Sequence, residues 1–258
     1  MTIDDDPKIN YAIRQVFGTY GDKVSVHAKG KTLNKFGHNP AINASTYETV
    51  WNTGGNETYP TTNAIDKISS SSGSDTNVVY LEGHTISGGN LTFVTQSKTL
   101  VGQTETALDT PMARCTRAYT LDDLVGTVYV YEDDTVTAGV PQTAANIHIE
   151  ITEGNQSEKC ATAISNTDYY FISQFLGNVF TKTGTPICEF IVEIRQVSAS
   201  NDDFRRIFSV MGSNNSPTVI NFDPYLIIPK NYDIRVSAVG SAAMDVGASF
   251  NGFLAKVQ

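Results

Sequence analysis

The sequence predicts an all-β protein: an antiparallel, jelly-roll-like β-sandwich preceded by an extended or short-helical N-terminal arm. Three observations carry this expectation. Charged residues make up only 17% of the 258-residue chain against 40% hydrophobic, and Ser, Thr, Asn and Gly replace the missing charge; these residues suit turns, short strands and flat polar surfaces better than the exposed faces of helices. From Asn77 onward, roughly a dozen short β-like runs alternate with turn residues, as sandwiches and jelly rolls require. There is no alternating strand–helix rhythm of the kind that builds a parallel α/β sheet.

Residues 1–75 are read as an N-terminal docking arm and residues 76–258 as the β-sandwich body. Within the arm, Asp4–Asp6 and Pro7 form a helix start, with Ile9, Ala12, Ile13 and Val16 at helical spacing until Gly18. From Asp22 to Asp75 the chain is polar with little periodicity, and a structureless connection of that length does not suit a compact domain. Its spaced aromatics are foreign to disordered linkers. Phe36, Tyr47, Trp51 and Tyr59 are therefore read as anchors that dock the arm on a partner.

In the body, strands are expected at Asn77–Leu81, Leu91–Thr95, Thr99–Gly102, Met112–Tyr119 and Val125–Tyr131. The most regular follows: Asn146–Thr152 sets three isoleucines on one face and polar residues, His148 among them, on the other. Ala161–Ile164, Tyr169–Phe175, Val179–Thr183, Ile187–Val197 and Phe204–Met211 come next. Tyr225–Ile228 and Ile234–Val239 form a pair joined through Pro229-Lys230-Asn231, and Val246–Val257 closes the chain.

Composition also bounds function. A net charge of −9 without a basic stripe argues against a nucleic-acid groove. No run approaches the roughly 18 apolar residues of a membrane span, and the acidic start Met1–Asp6 is unlike a signal peptide, so a soluble protein made in a cytoplasm is expected. The three cysteines, Cys115, Cys160 and Cys188, lack CxxC spacing and read as reduced structural thiols.

No catalytic or metal-binding pattern emerges. The four histidines, His27, His38, His84 and His148, show no ligand spacing; His148 reads as an exposed sheet-face residue. There is no Gly-x-Ser-x-Gly elbow. The acidic clusters Asp4–Asp6, Asp122-Asp123, Glu132–Asp134 and Asp202-Asp203 fall where turns or caps are expected and lack calcium-loop spacing. No enzyme activity, metal or cofactor is expected.

The runs Lys35-Phe36-Gly37-His38-Asn39-Pro40, Val50-Trp51-Asn52-Thr53-Gly54-Gly55, Tyr59-Pro60 and Ile68-Ser69-Ser70-Ser71-Ser72 resemble a family of tailed-phage virion structural proteins, known particularly from phages of marine bacteria. Val78–Gly83, Leu100–Gly102 and Ile228–Phe253 look similar too. The resemblance implies a virion component assembled in the host cytoplasm: a capsid decoration protein, or a neck, tail or baseplate subunit. Its partners would be major capsid or neck and tail subunits and further copies of itself, a trimer among the options. A receptor- or glycan-binding fibre module is the rival. The resemblance brings no catalytic residues.

Overall fold

The computed structural model describes residues 26–257 apart from 153, 181–183, 198–203 and 215–216. The helix expected within residues 1–20 lies outside them. The strands are β1 (Val26–Ile42), β2 (Glu48–Thr49), β3 (Ile65–Ser70), β4 (Val78–Ser87), β5 (Asn90–Thr99), β6 (Thr106–Met112), β7 (Arg114–Thr120), β8 (Val128–Glu132) and β9 (Val136–Thr137). They continue as β10 (Val140–Pro141), β11 (Ile147–Ile151), β12 (Ala161–Ala163), β13 (Tyr169–Val179), β14 (Ile187–Gln196), β15 (Arg205–Ser213), β16 (Thr218–Ile228), β17 (Tyr232–Gly240) and β18 (Met244–Val257). The protein is all-β, its named strand pairs antiparallel.

The strands form two sandwiches, one inserted in the other. In the first, sheet I runs β1-β18-β13-β16 and sheet II runs β12-β17-β14-β15, with β2 added on β17. Numbered within this sandwich without β2, the orders are 1-8-3-6 and 2-7-4-5, which is the eight-stranded jelly roll. Phe175, Phe190, Phe250, Tyr170, Val236 and Ile234 fill its core. In the second, sheet III runs β11-β8-β3-β6 and sheet IV runs β5-β4-β7, closed over Ile65, Ile68, Leu81, Leu100, Met112 and Val130. The whole second sandwich lies between β2 and β12, in the connection between the first two jelly-roll strands.

This corrects the division into arm and body. Residues 26–75 supply β1, β2 and β3, so they are sheet rather than docking arm, and residues 76–258 contain parts of both sandwiches. The cause is visible in β1. Its core-facing positions include Lys35, Gly37 and Asn39, all buried, where an ordinary strand has β-branched residues. The alternation is real, but its apolar half is missing.

Gly37 has a specific reason. Val50 accepts a backbone hydrogen bond from Cys160 at 2.9 Å, and a Cβ on Gly37 would collide with both that carbonyl and that amide. Backbone on two sides cannot yield as a side chain would. Gly37→Ala is expected to cost about 1–3 kcal/mol or more in chemical denaturation. Gly73→Ala, in open space, should stay within about 0.5 kcal/mol of the parent.

A second correction concerns Tyr225–Ile228 and Ile234–Val239. They belong to β16 and β17, which lie in opposite sheets, β16 on β13 and β17 on β14. The Pro229–Asn231 connection crosses between sheets instead of closing a hairpin. Asn231 takes the left-handed conformation (φ 58°), which Asn tolerates better than most residues, and its side-chain oxygen accepts from the Leu91 amide at 2.9 Å in the second sandwich.

Candidate functional site

The four aromatic anchors separate into buried and surface roles. Trp51 is 2% exposed; its indole Nε1–H is shared by the Gly54 and Gly55 carbonyls, each at 3.0 Å, and the Lys159 ammonium lies 5.4 Å from the ring. Tyr59 is held between the sandwiches, donating to Glu57 Oε2 at 2.9 Å with the guanidiniums of Arg195 and Arg114 4.5 and 5.1 Å from its ring. Both therefore anchor the chain to itself, and the expectation that they dock on a partner is corrected. Tyr47 is half-buried on sheet II; its hydroxyl donates to Glu189 Oε2 at 2.6 Å and accepts from Arg206 at 2.9 Å. Phe36, 39% exposed, is the one of the four presented on a surface.

That surface is the outer face of sheet I. Strand register aligns Phe36, Ser249, Leu176 and Val219 in a row across all four strands. Phe180 stands at its lower end, 48% exposed, and Val219 is 45% exposed. One pleat up runs a row of side-chain amides, Asn34, Asn251, Gln174 and Asn221. Asn251 donates to Gln174 at 3.2 Å and Gln174 to Asn221 at 2.9 Å. Beyond it Phe171 and Phe253 stack at 5.0 Å, with Tyr225 edge-on to Phe253 at 5.4 Å. The face thus reads aromatic, amide, apolar along the strands. Leu176, Phe180, Val219 and the amide row escaped the sequence reading because they belong to strands far apart in the chain; only register brings them together.

The other candidates sit as follows. His38 bridges Asp245 (2.6 Å) and Glu158 (3.2 Å) and faces Phe180 edge-on at 5.8 Å. His148 is 1% exposed, which corrects the exposed reading: its strand's second face is covered at the junction between sandwiches, where Glu132 binds its Nε2 at 2.9 Å and Lys159 donates to its carbonyl at 3.2 Å. Burial lowers its pKa. The side chain of His27 and the clusters Asp4–Asp6 and Asp202-Asp203 fall outside the described parts. Asp134 organises a turn, accepting from the Thr135 and Thr143 amides at 2.7 and 2.6 Å. Asp123 accepts from Asn155 at 2.9 Å. Cys115, Cys160 and Cys188 are buried free thiols. Among the described residues no group of three or more His, Cys, Asp and Glu is arranged to hold a metal, and no helix is long and apolar enough to cross a membrane.

No family model and no curated protein matches the chain. Solved structures that match include "CBM4 structure and function", at 15% identity over 54% of this chain and 75% of that one, with a TM-score of 0.20. Another is "Structure of infectious bursal disease virus Gt strain", at 11% identity over 97% and 77%, TM-score 0.23. A third is the VP2 subviral particle of the same virus, at 9% over 98% and 78%, TM-score 0.22. Likenesses this weak decide nothing about function, and the jelly roll stands on the strand order alone.

Proposed function

We propose that this chain is a non-enzymatic structural component of a bacteriophage virion, a capsid decoration protein that docks on neighbouring subunits through the outer face of sheet I. The observation that carries the reading is the exposed row from Phe36 to Val219, with Phe180 beside it, on a rigid four-stranded sheet. Exposed apolar residues gathered in one place mark interaction sites, whereas scattered ones do not. The likeness of residues 35–72 to tailed-phage virion proteins supports the same reading, and jelly rolls are a common architecture of viral shells. A neck, tail or baseplate station uses the same face in a ring or trimer.

Replacing Phe36 and Val219 together by Asp tests this. Both are exposed, so the double variant should keep its far-UV spectrum and melting behaviour, while its copy number on assembled particles falls at least tenfold, as expected when central anchors are lost. Full occupancy of particles by the variant overturns the proposal.

The amide row favours a second reading of the same face. Side-chain amides beside aromatic rings are the chemistry that holds sugar hydroxyls and stacks sugar rings, and would make this a glycan-binding module of a fibre. Saturable binding to host polysaccharide that is lost in Gln174→Ala supports it; silence on a glycan array removes it.

A further inference from the structure

The two sandwiches leave a cleft of about 750 Å³ between them, within the size range of small-molecule sites. It is floored by the start of β1, walled by β4 and β7 on one side and by β12 and β18 on the other. Four cations line it: Lys31, Lys35, Arg117 and Lys256. Among the described residues only two acidic ones, Glu82 and Asp168, accompany them, and Asp168 already accepts from the Ser165 and Thr167 hydroxyls, each at 2.7 Å. A chain of net charge −9 therefore concentrates an excess of positive charge in one concave place. Low-dielectric walls strengthen the attraction of such a place for anions.

Two buried groups in the cleft await a partner. Lys35 is buried and its ammonium donates to the Thr116 carbonyl, yet among the described residues it forms no ion pair with a carboxylate. Buried charges are ordinarily paired. His84, equally buried, lines the same cleft, and its Nδ1 finds no hydrogen-bond partner among the described residues. Such orphan atoms are uncommon in native proteins. Burial pushes the His84 pKa down to about 4, so at neutral pH the ring is a neutral imidazole and adds no charge to the cleft. Leu33, Leu254 and Phe93 give the cleft an apolar side. Lys31 is held over the Phe93 ring at 4.4 Å, and His84 meets the same ring edge-on at 5.4 Å.

We infer that this cleft binds a small organic acid, its carboxylate taken by Lys35 with Arg117, Lys31 and Lys256 around it, and its body lying on Leu33, Leu254 and Phe93. An apolar side is wasted on an inorganic ion, which places the ligand among organic acids rather than free phosphate. The site is separate from the outer face of sheet I and does not rest on the docking role proposed for it.

Calorimetric titration of the full chain tests the inference with galacturonate, benzoate and citrate, the neutral counterparts galactose and benzamide, and inorganic phosphate. At least one carboxylate should bind one-to-one with a sub-millimolar Kd, and its neutral counterpart at least tenfold more weakly. Binding should weaken as salt is raised. Lys35→Met should weaken it at least tenfold. Arg117→Ala, at an exposed position that leaves the fold alone, should weaken it severalfold and keeps the test decisive if Lys35→Met misfolds. Absence of binding by all three acids overturns the inference. So does equal binding of phosphate, the mark of an adventitious ion only, or an affinity unmoved by both substitutions.

Discussion

Asp233→Ala is expected to cost about 3–5 kcal/mol, the range for removing one partner of a buried ion pair, and to split one unfolding transition into two. Asp233 is 0% exposed. Its carboxylate accepts from Arg114 Nε at 2.8 Å and NH2 at 3.0 Å, and from Arg195 at 2.7 Å. Arg195 is its neighbour on β14, but Arg114 belongs to β7 of the other sandwich. The two apolar cores are separate clusters, so the carboxylate is one of the few strong ties between them, alongside the buried Lys159–Glu57 pair. Removing it leaves two buried guanidiniums facing each other, a penalty that Arg114's remaining bonds to the Pro60 and Ala113 carbonyls do not offset. Urea titration followed by hydrogen exchange of β14, in the first sandwich, and separately of β4, in the second, checks both effects. Asp233→Asn, which keeps acceptor and shape but not charge, should fall between. Exchanging all three residues for apolar ones of similar volume should recover most of the loss. A single, unshifted transition in Asp233→Ala would show that the triad carries no coupling.

How much of this was legible in the chain depends on which side of each strand faces what. Ile149 and Ile151 announced β11 because their face meets an ordinary apolar core, while a bulge between Ile147 and Ile149 takes Ile147 out of that row. The other face of the same strand, with His148, looked solvent-exposed only because no single strand reveals that Glu132 and the distant Lys159 segment cover it. β1 failed for the opposite reason: Lys35, Gly37 and Asn39 face inward, and each serves a contact with a distant segment, Thr116, Cys160 or Thr49. The insertion was hidden because β2 and β12 meet on the same strand, β17, after more than a hundred intervening residues. Turn chemistry marked where strands end but not which sheet the next one joins, as the connection at Asn231 illustrates. The cleft was beyond reach from sequence, its cations coming from β1, β7 and β18.

Lys35→Met is expected to stabilise the protein at pH 7 and to lose that advantage as pH rises toward 10.5. Burial, then the nearby Lys159 charge, with Arg117 adding to it, pulls the Lys35 pKa down to about 8, against weaker opposing pulls from Cys160 and Glu82. Below pH 8 the lysine is charged in both folded and unfolded chains, and the folded state bears the full cost, on the order of 3 kcal/mol for a shift of about two and a half units. Between pH 8 and the ordinary value of 10.5 the unfolded chain binds the proton more readily, so parent stability rises with pH across that window. Methionine matches the volume, carries no charge and forfeits the bond from the charged ammonium to Thr116, worth about 1.5–3 kcal/mol. The net gain at pH 7 is then about 1 kcal/mol. The hydroxyl of Tyr131, pushed up to about 12 by burial, titrates in parent and variant alike and cancels in the difference. Denaturation midpoints of the two proteins at pH 7, 8.5 and 10 measure it: the gap should close steadily, and a variant less stable than the parent at pH 7 contradicts the account. A residue whose removal stabilises the fold while weakening organic-acid binding is kept for the ligand and not for the structure, since folds tolerate such costs mainly where function requires them.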